Sequence, residues 1–217
     1  MELEDLKKEY NRLQNKYGSK NLDSIFFGGQ SKNPNVMFVF MNPTGKNIAS
    51  SKEWNGIKAP WVGTKNIWKL FYKIHLLDQD VFFKIQSIKA SEWTEEFALE
   101  VYENVIKHNY FITNLGKCTQ EDARPLNDSV YLKYLKLLKK EIEIVNPKKI
   151  VLFGNQVSSI VLDEKISVSE VRKREFKKKI NKKEYVFYAV YYPVGNGIFN
   201  MDKAIEDLNY IIFDKKN

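Results

Sequence analysis

The chain has 217 residues, 43% hydrophobic and 14% aromatic, which suits one α/β domain with a substantial core and excludes a disordered chain. Lysine plus arginine number 35 against 27 acids, and the resulting +8 suits a polyanionic partner, although a lysine-rich surface also serves solubility alone. A single cysteine excludes a disulfide framework and a multi-cysteine metal cluster within the chain, and no apolar run approaches the roughly 18 residues of a membrane span, so a soluble, cytoplasmic protein is expected.

Leu3, Leu6, Tyr10, Leu13 and Tyr17 recur at steps of three and four and predict a helix over residues 1–17. A loop from Gly18 to Asn35 follows. Val36-Met37-Phe38-Val39-Phe40-Met41 is then an apolar run closed by Asn42-Pro43-Thr44-Gly45, the pattern of a parallel strand buried on both faces. Ligands of open α/β sheets bind at the carboxyl ends of such strands. Asn42 therefore stands where a strand delivers a side chain into a site, with Pro43 fixing the backbone behind it; the alternative is an ordinary turn. The polar segment 44–63 is too long for a simple connection, and such loops are either functional or disordered. Thr64 is the expected N-cap of a helix bearing Ile67, Trp68, Phe71 and Ile74, and Ser91–His108 gives another with Phe97, Val101 and Val105 spaced by four.

Tyr110–Leu115 reads as the second strand, closed by Gly116-Lys117-Cys118. Tyr131, Leu135, Leu138, Ile142 and Val145 form one face of a strong helix that Asn146-Pro147 stops. Lys149–Phe153 is the third strand and Gln156–Leu162 a short helix. A basic hairpin turns at Ile180-Asn181-Lys182-Lys183, and its second arm, Tyr185–Tyr192, ends in Pro193-Val194-Gly195-Asn196-Gly197. Met201 to Phe213 is the last helix. Strands alternating with helices predict a three-layer α/β/α sandwich with a mostly parallel, four-stranded central sheet, in one domain spanning residues 1–217. The strand-end loops then gather Asn42, Trp61, Asn114, Lys117, Tyr192 and Asn196 along one edge. Amides, rings and backbone N–H groups without histidine or paired carboxylates suit a planar heterocycle better than acyl transfer.

Five blocks carry a resemblance. Phe40-Met41-Asn42-Pro43-Thr44-Gly45 resembles the first motif of the uracil-DNA glycosylase superfamily, and Pro60-Trp61-Val62-Gly63 its Pro-Phe-Val-Gly segment. Phe111 to Cys118 is similar to the Ile-Thr-Asn-Val-Val-Lys-Cys block of the iron–sulfur branch, and Pro147 to Gly154 to the following strand. Tyr191-Tyr192-Pro193-Val194-Gly195-Asn196 occupies the place of the His-Pro-Ser motif. Their order and spacing match over residues 36–212.

The resemblance implies a DNA N-glycosylase that flips a deaminated base out of DNA and hydrolyses its bond to the sugar. Asn42 would position water at the sugar carbon, and Tyr192 would stand in for the usual histidine. Asn114 would read the base edge and Trp61 would stack on it, with Met41 and Asn196 also lining the base site. Lys46, Lys117, Lys178 and Lys179 would contact the DNA backbone, although the hairpin lysines read equally as a solvated face. Lys46 after Gly45 is no Walker loop, because Phe40 stands where its first glycine belongs. No metal and no cofactor is expected, the partner is uracil-containing or mismatched DNA, and the chain is expected to be a monomer. The departures, Tyr192 for histidine and one cysteine where the iron–sulfur branch has four, leave open a degenerate member that binds nucleic acid or a nucleobase without cleaving it.

Overall fold

The apolar runs of the sequence become adjacent strands because each is buried on both faces and only a covered sheet satisfies that. The computed structural model describes residues 2–123 and 126–213. Its sheet comprises β1 (Phe27–Gly29), β2 (Val36–Phe40), β3 (Tyr110–Asn114), β4 (Lys149–Phe153), β5 (Phe176–Ile180) and β6 (Lys183–Val190), in the order β1-β3-β2-β4-β6-β5. The four inner strands are parallel, with Phe40 level with Asn114 and Phe153 level with Val190. The mostly parallel core matches the sequence expectation, but the sheet has six strands where four were expected, because β1 and β5 add antiparallel edges. The sequence reading left Phe27–Gly29 in a loop, and three residues with two glycines give no strand period to read. β1 and β5 close the two edges as antiparallel strands.

Side-chain alternation divides the core in two. Val36, Phe38 and Phe40 face the layer made by α2 (Asn66–Lys73), α3 (Gln79–Ser87), α4 (Glu95–Lys107) and α7 (Met201–Phe213). Met37 and Val39 face α5 (Asp128–Val145) and α6 (Asn155–Leu162). A helix at the N-terminus, α1 (Leu3–Tyr17), packs outside α5 through Leu6, Tyr10 and Leu13. Two helix starts differ from expectation. Thr64 does not cap α2, because its hydroxyl donates to the Trp61 carbonyl at 2.7 Å. The helix expected from Ser91 begins at Glu95, where Thr94 accepts from the Phe97 N–H.

The segment 44–63 is held in place. Asn47 is buried, accepts from Ala49 N–H at 3.0 Å and donates to the Ala59 carbonyl at 2.9 Å. Thr44 bridges to Gln120, so the loops leaving β2 and β3 continue side by side beyond the strands. No helix among the described residues is long and apolar enough to cross a membrane.

Candidate active site

Phe40, the last residue of β2, organises the carboxyl edge of the sheet. Its ring stacks on Phe153 at 4.3 Å with the planes 6° apart. Trp61 stands edge-on to it at 5.0 Å and 77°, and Tyr192 at 6.4 Å and 79°. Three residues from separate parts of the sequence are thus joined through one ring, with Asn114 level with it on the next strand. Trp61 holds this place with a φ of 69°, its carbonyl accepting from Trp68 Nε1 and from Thr64. Its own Nε1 is buried without a partner among the described residues.

Asn42 sits two residues beyond Phe40. Its Oδ1 accepts a 2.6 Å bond from the Tyr131 hydroxyl, and its Nδ2 donates to the Pro43 carbonyl at 3.1 Å. One lone pair and one N–H remain to face the edge. The sequence reading placed Tyr131 on the apolar stripe of α5; a hydroxyl in an otherwise aliphatic row was the available signal. Gly116 makes the approach possible, since a Cβ there would lie 3.1 Å from the Tyr131 ring and 3.4 Å from Asn42 Cβ. Burial pushes the Tyr131 phenol well up, so it stays a neutral donor.

The Asn114 residue is 2% exposed, yet its side-chain amide has no hydrogen-bond partner among the described residues. The amide is not one of the fully desolvated, unpartnered groups, so it keeps a narrow opening to solvent through which a ligand supplying matching groups can reach it. Tyr192 is partly buried and its hydroxyl likewise lacks a partner; burial pushes this phenol up to about 12. Gly197 lets the loop fold back on it, because a Cβ there would meet the Tyr192 carbonyl oxygen at 2.0 Å.

Other expected residues are placed differently. Met41 packs its side chain against the core beneath α5, on the face away from Phe40. Asn196 shares the Tyr192 loop but is exposed, and Lys46 is exposed on the loop after Asn42. Lys117 is no DNA contact. It is wholly buried, paired with Glu141 at 3.1 Å and donating to the Thr113 hydroxyl and, at 2.5 Å, to the Asn114 carbonyl. Burial pulls its ammonium down and Glu141 opposes that. Lys178 and Lys179 lie away from the edge that carries Asn42. Lys179 pairs with Glu184, six residues before Val190, so at about 3.3 Å per residue it lies some 20 Å from the edge that carries Asn42. Lys178 is 3.5 Å from Glu164. His108 is bound to Asp78 on the far side of α4.

Phe199 was not singled out from sequence. It is 92% exposed in the turn after Tyr192, the most exposed large apolar side chain among the described residues. Only its position on a glycine-rich loop hinted at this.

The family model described as the uracil DNA glycosylase superfamily matches residues 27–197, which includes every residue of the Phe40 cluster. The chain belongs to the uracil-DNA glycosylase superfamily. A search of curated proteins finds no match. Within this superfamily the iron–sulfur branch binds its cluster through four cysteines, and this glycosylase-family chain has one. Cys118 is fully buried and burial pushes its thiol up, so the residues present do not fit a cluster. α1 lies outside the matched region but reaches the site's support: Tyr10 donates to Glu141 at 2.8 Å, and Gln14 accepts from Thr119 N–H at 2.7 Å.

Proposed function

We propose that the protein is a DNA glycosylase that removes uracil or another deaminated base by base flipping. The observation that carries this reading is the buried, unpartnered amide of Asn114 beside the Trp61–Phe40–Tyr192 group. One amide both donates and accepts, as the Watson–Crick edge of an oxo-base requires. Trp61 supplies an aromatic wall, with base–aromatic stacking worth about 1–3 kcal/mol. Cleavage leaves an anion on the base, and preorganised donors facing that charge supply the rate. Tyr192 is the candidate donor to the leaving anion, and Asn42 uses its remaining lone pair to align water at the sugar carbon. An amide is a weak general base, so turnover is slow.

Asn42→Ala tests the division of roles. Binding of a uracil-containing oligonucleotide is expected to survive while single-turnover release falls about 100-fold or more. Loss of binding in step with release would assign Asn42 to base capture and refute the water-aligning role. Release is also expected to be flat from pH 5 to 9. The neutral Tyr192 phenol is present below its pKa of about 12 and is lost only as pH rises through it. A limb near the ordinary histidine pKa of about 6.5 would contradict a histidine-free site.

Phe199 is suited to wedge into the stack that the flipped base vacates, as exposed apolar side chains do in bent or kinked duplexes. Phe199→Ala is expected to slow release from duplex DNA about tenfold and from single strands little. Equal losses on both substrates would remove the wedge role.

A second reading is favoured by one observation. Tyr131 already occupies one lone pair of Asn42, and no histidine faces the site. A member that binds a nucleobase or nucleic acid without cleaving it fits that weakened chemistry.

A further inference from the structure

The outer face of α5 carries Lys133, Lys136, Lys139 and Lys140, all exposed, with no acidic residue between Asp128 and Glu141. None of the four makes an ion pair or hydrogen bond among the described residues, though Lys140 lies near enough to Glu9 to add to the stronger pull of Arg12 on that carboxyl. Part of the basic hairpin region is neutralised instead: Arg172 and Lys173 by Glu206, Lys177 by Glu175, Lys178 by Glu164. Lys133, Lys136 and Lys140 follow steps of three and four, one stripe about 10 Å long at 1.5 Å per residue. That length spans about three phosphates at 3.4 Å along a duplex strand. The stripe is continuous with the site, because α5 starts at the carboxyl edge and Tyr131, on its first turn, holds Asn42.

We propose that Lys133, Lys136 and Lys140 form a second nucleic-acid surface, gripping the phosphates of the strand that flanks the flipped nucleotide as it leaves the site along α5. This rests on the glycosylase reading only for where the strand arrives. The charge complementarity is independent of any base chemistry. Lysines engage phosphates as point charges without reading sequence, so the surface adds affinity and not base preference.

The test is fluorescence anisotropy of the full chain with an unmodified single-stranded 20-mer, titrated over a salt series. Each phosphate contact contributes about −0.7 to the slope of log K against log salt for single strands. The K133Q/K136Q/K140Q variant should lose about two units of slope, so its affinity falls about 20-fold less than wild type over a fourfold rise in salt. The K69Q/K73Q/K89Q variant removes the same charge from exposed positions in the helix layer on the other face of the sheet and should keep the wild-type slope. An unchanged slope in the first variant, or equal changes in both, overturns the proposal. Binding to phosphatidylserine vesicles that the first variant loses, with its DNA slope unchanged, also overturns it. The oligonucleotide contains no damaged base, so a failure here is distinct from a failure of base release.

Discussion

Replacing Asn114 by alanine is expected to lower single-turnover uracil release by about 10²–10³-fold, the loss typical of removing one preorganised donor from a developing charge. The same change should leave folding intact. The Asn114 side chain bonds nothing among the described residues, so its removal strands no partner. A purely structural asparagine behaves in the opposite way, losing stability with activity in proportion to the folded fraction. The measurement is therefore paired: thermal melting and single-turnover release on one preparation. A melting temperature held within a few degrees alongside lost release supports a residue kept for a ligand and not for the scaffold. Lost stability with unchanged specific rate on folded protein would assign Asn114 to the scaffold.

Lys117→Met is expected to have the largest effect on stability, about 3–5 kcal/mol by urea denaturation. Both members of the Lys117–Glu141 pair are fully buried, and the substitution leaves Glu141 with the Tyr10 hydroxyl as its hydrogen-bond partner. Replacing both charges with K117M/E141Q removes that imbalance and keeps an acceptor for the buried Tyr10 hydroxyl, so the double variant should recover most of the loss. The double variant then isolates the link to function. Lys117 also ties down the Asn114 carbonyl, and a stable chain without that tie should bind uracil-containing DNA more weakly than wild type. A double variant as destabilised as the single one would contradict the ion-pair account.

The parallel core was legible because β2, β3 and β4 are continuous apolar runs, a pattern that survives any detail of packing. Asn42, Trp61, Asn114 and Tyr192 were legible as a group because each follows a strand end or a Gly/Pro-bounded loop. The ring that joins Trp61 and Tyr192, Phe40, was not. It reads as one more core residue, and only the stacking on Phe153 and the edge contacts of Trp61 and Tyr192 distinguish it. Lys117 was misread because a lysine after Asn-Leu-Gly looks solvated. Its partner Glu141 is 24 residues away on the buried face of α5, where an isolated acid has no periodic signature. The distance of Lys178 and Lys179 from the site was hidden for a topological reason. A hairpin whose tip precedes β6 points its lysines at the amino edge, and strand order must be known before that is visible. The free lysines of α5 and the exposed Phe199 depend on neighbours that sequence spacing does not reveal.

The most direct test of the glycosylase reading is base release at stoichiometric protein. Single-stranded and mismatched duplex oligonucleotides carrying uracil, hypoxanthine or xanthine are incubated with excess chain, and abasic sites are counted after alkaline cleavage. The arrangement around Phe40 predicts slow but complete release of at least one of the three bases, abolished by Asn114→Ala. No release of any of them, from protein that melts cooperatively and binds the same oligonucleotides, would contradict the enzyme and leave the binding protein.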